Sequence, residues 1–305
     1  MAKRVTERAL TRIRNELVNF GKQEIPVEKK VAVDDKKKLM LAKKFGAKPK
    51  IQAKELELAV VSAQDPVPEP IPEPMPARIH QEERMTFLIA ADDDITKLRA
   101  MIIGPDDTPY AGIFLYFEIS ITHDYPITPP IFKYATPDSP DCRMHPNLYA
   151  EGKVCLSILN TWASNQWCAS ATFDSILHEI IMILGPDPII NEPGYENAKP
   201  YDRAVYRFMA RFRALRAGVV AFMKRKDTPP EFMKAAREYI ESHKQVYAKS
   251  IDMLIKDAAE IGLYNPDGTK TPAKHVDLHT LHVHTQMSRD QIRNLASKVR
   301  ETVGL

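Results

Sequence analysis

The stretch HPNLYAEGKVCLSIL, His145 to Leu159, decides how this chain is read. A His-Pro-Asn corner leads into a glycine-containing turn, and Cys155 follows eight residues after Asn147. A lone cysteine is most often a small, buried, apolar residue, so residue type alone says little. Its setting says more. Upstream, GPDDTPYAG (104–112) and HDYPITPP (123–130) are dense in turn formers. With the other breaks they separate four short strand-like runs: Thr86–Ala90, Lys97–Ile103, Ile113–Ile121 and Ile131–Tyr134. Runs of this length and spacing predict an antiparallel meander. An irregular segment, about 135–170, then holds Cys142, Cys155, Cys168, Trp162 and Trp167.

Farther out the period changes from two to 3.6. Ile176, Leu177, Ile180, Ile181 and Leu184 predict a helix over 172–184, and a second follows over about 201–225. Thr228-Pro229-Pro230-Glu231 reads as a capping box opening a helix that runs to about Ile261. Ser288-x-x-Gln291 opens a last helix. At the other end, Leu10, Ile13, Leu17 and Phe20 share one face of a helix over 6–20, with Thr6 as cap and Gly21 as stop. Between them, alternating prolines from Pro66 to Pro76 exclude a helix or central strand and favour an extended spacer.

Composition bounds the function. The 305 residues carry a formal charge of +3, divided between a basic head (net +8 over 1–60) and a mildly acidic remainder (net −5). Three cysteines with no CxxC pair exclude a disulfide framework and argue against cysteine-built zinc. No apolar run approaches the ~20 residues of a bilayer span. The expectation is a soluble protein of a reducing compartment, cytoplasmic or nuclear, with no cofactor, no metal and no membrane partner. The 29–54 lysines lack aromatic interleaving, so no specific nucleic-acid site is expected. His275, His279, His282 and His284 have a spacing that could hold zinc, but no cysteine joins them, and a solvated tail or partly buried loop is the favoured reading.

Taken together, YPITPP, His-Pro-Asn and a cysteine eight residues beyond the asparagine resemble the ubiquitin-conjugating enzymes. ALTRIRNELVNF (9–20) is similar to that family's first helix. CLSIL, the two following tryptophans and Asn191-Glu192-Pro193-Gly194-Tyr195 are most similar to its large Z-type branch. The resemblance implies an α+β fold: an N-terminal helix, a four-stranded meander, the active-site loop, then helices. It implies a conjugating domain over 5–225, with the basic and proline-rich segment 27–76 inserted between first helix and first strand. A helical extension over 226–305 follows. A competing placement puts the first helix at ARIHQEERM (77–85), where only Ile79 and Met85 are strongly apolar.

The resemblance also implies the chemistry. Cys155 would accept ubiquitin or a ubiquitin-like modifier from an activating enzyme as a thioester and pass it to a substrate lysine, usually with a ligase. Asn147 would stabilise the oxyanion or bond the loop backbone. His145 would order the loop. Glu192, where aspartate is commoner, would orient the incoming amine, its longer side chain shifting the carboxylate; Ser157 replaces another common aspartate. Arg8 and Arg12 would face the activating enzyme or ligase. Ile127, Trp167, Cys168 and Ala169 would form the ligase face. With no histidine evident beside it, Cys155 should be a quiet thiol, and Cys142 and Cys168 packed ones. The rival reading, a silent ubiquitin-binding scaffold, is disfavoured because such relatives lack the cysteine; a cysteine hydrolase would need a neighbouring histidine.

These boundaries make a first prediction. Replacing 27–76 by a short flexible linker should preserve folding and thioester loading, whereas deleting 1–76 should cost both. Melting curves and non-reducing gels of the two deletions decide it. Full loading of the 1–76 deletion would transfer the first-helix role to 77–85.

Overall fold

Alternation along the chain produces a four-stranded antiparallel sheet in the order β1-β2-β3-β4: β1 Thr86–Ala91, β2 Asp94–Ile103, β3 Phe114–Ser120 and β4 Ile131–Tyr134. The structure, a computed structural model, describes residues 5–20, 85–91, 94–136, 138–139, 142–162, 167–262 and 289–305. The segment 27–76, Gly21, the four histidines at 275–284 and all of the alternative helix but Met85 lie outside these residues. Register is set by pairs such as Leu98↔Ile119, Ala100↔Phe117 and Phe117↔Tyr134, which put one buried set of side chains on one face. The other face is divided. Arg99, Glu118 and Lys133 stay at least partly exposed, with Lys133 paired to Glu118 at 3.0 Å. Beside them, Phe87, Phe114 and Tyr116 meet Phe222, Phe232 and Tyr239 at ring centroid distances of 5.1–6.3 Å.

Those last three rings come from the C-terminal half. After α1 (Glu7–Phe20) and the sheet, the helices are α2 Phe173–Ile183, α3 Pro200–Leu215, α4 Pro230–Ser242, α5 Lys244–Glu260 and α6 Arg289–Val303. Of the apolar face expected for α1, Ile13 and Phe20 are buried while Leu10 and Leu17 are half-buried; Ala9 is buried as well, and Thr6 Oγ1 accepts from Ala9 N–H at 3.3 Å. Burying such side chains contributes roughly 1.5–3 kcal/mol each for the larger ones. α2 opens on a reciprocal cap between Thr172 and Ser175.

Three local expectations are corrected. The helix over 201–225 is α3 followed by a π turn, Arg216–Ala221, and a 3-10 turn, Phe222–Lys224. Gly218 lies in that π turn against Ile113, where an added Cβ would stand 2.8 Å from the isoleucine Cβ. Thr228 does not cap α4. The helix starts at Pro230, which leaves Thr228 one residue too far out, its hydroxyl buried without a hydrogen-bond partner. The single helix expected over 229–261 is two, broken at His243, whose ring stacks 4.1 Å from Tyr239. The break lets α5 bring Tyr247 under the sheet, its hydroxyl donating to Gly112 O at 2.8 Å.

One buried charge locks α3 to α5. Asp257, 1% exposed, accepts from Arg207 Nε at 3.2 Å and from Arg211 Nε at 3.0 Å. Arg211 in turn donates to Thr108 O in the β2–β3 connection. Removing one partner strands the other charge. Asp257→Ala should therefore cost roughly 3–5 kcal/mol of stability, read by urea unfolding. A loss below about 1 kcal/mol would show that water reaches the two arginines once the carboxylate is gone.

Candidate active site

Among its described residues the loop between β4 and α2 has isolated bridges, Lys133 with Lys153, His145 with Leu148 and Leu148 with Val154, and side chains satisfy much of the remaining backbone. Arg213 Nη1 donates to Arg143 O at 2.7 Å, Tyr110 Oη to Met144 O at 2.9 Å, and Arg143 Nη2 to Pro146 O at 2.7 Å. The glycine turn is tied to β4 through Tyr134 N–H and Gly152 O, 2.8 Å. Gly152 has φ of 100°, and a Cβ there would meet Lys133 and the Tyr134 carbonyl at 3.0–3.1 Å. Only glycine suits that position without strain.

His145 is fully buried. Its Nδ1 accepts from Asn147 N–H at 3.0 Å and its Nε2 donates to Ile183 O at 2.9 Å, so the neutral ring bridges the corner to the end of α2. Burial pushes its pKa down to about 3. The unfolded chain takes up that proton near ~6.5, so acid favours unfolding as pH falls through this window. With both nitrogens engaged, His145 serves the loop and presents no base to Cys155.

Asn147 and Cys155 hold each other. Cys155 N–H donates to Asn147 O at 2.9 Å, and Asn147 Nδ2 donates to Cys155 O at 2.7 Å, while Asn147 Oδ1 is buried without a partner. The loop reading of Asn147 is thus visible directly. The thiol donates to Thr161 O at 3.1 Å, and Thr161 Oγ1 bonds Val154 O and Leu156 N–H at 2.7 and 2.9 Å. Cys155 is 2% exposed, yet Thr161 itself is exposed, so the thiol lies under a single carbonyl at the surface. Burial raises its pKa, Lys153 and Arg143 oppose the rise, and Glu192 adds to it. The result is a thiol kept protonated at neutral pH.

Glu192 stands nearby, but paired. Its Oε2 accepts from Arg143 Nη2 at 2.9 Å. Sequence reasoning missed Arg143, which lies in the polar segment Asp141-Cys142-Arg143-Met144, where no local pattern marks it.

The other expected site residues gather on a second surface. Trp167 Nε1 donates to Pro126 O at 2.8 Å, which joins Ile127, 80% exposed, to the Cys168-Ala169-Ser170 loop. Arg8 is exposed on α1. Arg12 is used within the molecule: it donates to Ala169 O and Ala171 O, pairs with Glu16 at 2.7 Å and lies over Tyr125. Glu16 also receives Phe173 N–H and the Tyr125 hydroxyl, each at 3.0 Å, so α1 and the Cys168-Ala169-Ser170 loop form one piece. Cys142 is packed as expected. Cys168 is not: it is exposed beside Ser170 Oγ at 3.0 Å, because the indole of Trp167 takes the inward place on that loop. Among the described residues no group of three or more His, Cys, Asp or Glu could hold a metal ion, and no helix is long and apolar enough to cross a membrane.

A helix, a four-stranded meander and a His-Pro-Asn corner presenting one cysteine define the ubiquitin-conjugating fold. The family model for ubiquitin-conjugating enzymes matches residues 75–214. Over 221 residues the chain is 33% identical to ubiquitin-conjugating enzyme E2 Z of Xenopus tropicalis, covering 71% of this chain and 68% of that protein. It is 38% identical over 153 residues to human ubiquitin-conjugating enzyme E2 Z, covering 50% and 43%. It is 43% identical over 119 residues to a probable ubiquitin-conjugating enzyme E2 25 of Arabidopsis thaliana, covering 37% and 19%. The chain belongs to the ubiquitin-conjugating enzyme family, on the side of its Z-type branch. The match spans less than half the length of the human relative.

The three thiols differ enough to be ranked. Hydrogen bonding to Ser170 lowers the Cys168 pKa, burial raises that of Cys155, and burial pushes Cys142 up to about 11. Since the thiolate is the reactive form, alkylation near neutral pH should run Cys168, then Cys155, then Cys142. Peptide mass spectrometry after timed iodoacetamide treatment reads the order; Cys155 reacting first would mean that the Thr161 carbonyl does not cover it.

Proposed function

We propose that this chain is a ubiquitin-carrier enzyme whose acyl-bearing atom is Cys155 Sγ. The observation that carries the reading is the reciprocal pairing of Asn147 with Cys155 under the His-Pro-Asn corner. In the first step the Cys155 thiolate attacks the thioester by which an activating enzyme holds ubiquitin or a ubiquitin-like modifier. A new C–S bond forms, the old one breaks, and the activating enzyme's thiol leaves and is reprotonated. In the second step a substrate lysine attacks the Cys155 thioester, a C–N bond forms, the Cys155 thiolate departs, and the amine sheds a proton.

Lysine near pKa ~10.4 arrives charged, so a carboxylate beside the thioester helps to orient it and draw off the proton. Glu192 is assigned that part. Asn147 Nδ2, released from Cys155 O, supplies a donor for the oxyanion. The raised pKa of Cys155 suits a carrier: a thiol that is quiet when empty and a good leaving group when charged. Arg8 faces the activating enzyme or a ligase, while Arg12 holds the ligase face from behind. Ile127, Trp167, Cys168 and Ala169 form that face, and its unusual residues suit a dedicated ligase. A reducing compartment, cytoplasm or nucleus, keeps all three thiols free.

Purified chain incubated with activating enzyme, ATP and a panel of modifiers, then run on a non-reducing gel, tests this. Cys155→Ser should give an ester that survives reductant, and Asn147→Ala should load normally but discharge to lysine about a hundredfold more slowly. A reducible adduct that persists in Cys155→Ser would move the carrier role to another thiol. Equal loss of loading and discharge in Asn147→Ala would leave that residue with loop architecture alone.

A further inference from the structure

Arg143 and Lys153 are the cations beside Cys155 that the carrier chemistry leaves without a part, and Arg143 is the one bonded to Glu192. One nitrogen, Nη2, reaches both Pro146 O at 2.7 Å and Glu192 Oε2 at 2.9 Å, linking the His-Pro-Asn corner to the Asn191-Glu192-Pro193 segment. The guanidinium lies 4.3 Å from the Tyr149 ring centroid, and its own backbone carbonyl is fixed by Arg213 Nη1 at 2.7 Å. The side chains of Arg143 and Glu192 are only 12% and 17% exposed, so their attraction is poorly screened by water. Arg143 is thus immobilised at several points, and Glu192 is moored to it.

A glutamate needs such a mooring more than an aspartate does. Its extra methylene adds a rotatable bond, and a carboxylate that wanders by an ångström loses much of its value in orienting a nucleophile. Nη2 alone holds the carboxylate and the carbonyl, while the planar guanidinium lies over the Tyr149 ring, a seating that the ammonium of lysine does not reproduce. Arg143 also acts on Cys155 in the sense opposite to Glu192, lowering the thiol pKa where the carboxylate raises it.

We propose that Arg143 is a positioning residue for transfer to lysine: it fixes the Glu192 carboxylate against the His-Pro-Asn corner, making glutamate serviceable where a shorter acid would otherwise be needed. The proposal rests on the carrier reading of Cys155, and the two fail differently. Full-length wild type, Arg143→Gln, Glu192→Gln and the double variant are each charged with the best-loading modifier. Single-turnover discharge to free lysine is then followed from about pH 6 to about pH 9.

Charging should be preserved in all four. Each single substitution should slow discharge roughly tenfold, with the two singles sharing one altered pH–rate profile. The double variant should be no slower than Glu192→Gln alone, because both losses run through one carboxylate. Multiplying losses, unchanged or faster discharge in Arg143→Gln, or an unaltered pH profile would overturn the role. Should Arg143→Gln fail to fold, Arg143→Met, which keeps the apolar stem and removes the charge, takes its place in the cycle with the same outcomes. Failure of the wild type to charge with any modifier would instead reject the carrier reading, and the proposal with it.

Discussion

The imidazole of His145 has one N–H to give and one lone pair to receive, and both are used inside the protein. Deprived of water, the ring stays neutral, and neutrality is what lets it accept from Asn147 N–H while donating to Ile183 O. That bridge sets where the corner sits relative to α2. The corner in turn sets Asn147, and Asn147 holds both polar backbone groups of Cys155. The geometry around Cys155 therefore hangs from a residue whose two ring nitrogens are both engaged within the protein. Protonating or shortening it would disturb every link below.

A second constraint runs through the arginines. Several carbonyls between β4 and α2 that lack a strand partner are met by long cationic side chains: Arg225 at Ala135 O, Arg213 at Arg143 O, Arg143 at Pro146 O, Arg12 at Ala169 O and Ala171 O. Charge-assisted bonds to carbonyls are stronger than neutral ones and can come from distant parts of the chain. α1 and α3 thus act on the loop without touching the thiol. Surface charge counts would have assigned several of these residues to partners.

The meander was legible because period-two alternation and turn formers are local signals; β4 appears at its expected bounds and the other strands shift by only a few residues. The His-Pro-Asn-to-cysteine spacing was equally local. What escaped depends on contacts remote in sequence. Nothing in residues 229–261 announces a break at His243, which follows from stacking on Tyr239 and from the need to place Tyr247. Thr228 carries a capping motif one residue out of register with the helix that forms. Cys168 looked like a packed thiol because cysteine usually is one, whereas Trp167 had already claimed the inward position. Arg143 was invisible because its partner Glu192 lies forty-nine residues away.

The aromatic contact between the sheet and the C-terminal helices has a bearing on how the protein ages in a cell. Phe87, Phe114 and Tyr116 form an apolar patch next to the polar trio Arg99, Glu118 and Lys133, and Phe222, Phe232 and Tyr239 cover it. A protease cut near Asp227 that released the helices beyond would strip Phe232 and Tyr239 from Phe87, Phe114 and Tyr116, leaving Phe222 on Phe114 and the Cys155 loop in place. Exposed rings of that kind invite self-association and recognition by quality-control machinery. The C-terminal helices are therefore part of the apolar closure of the sheet and not a removable tail: their loss would mark the remainder for disposal.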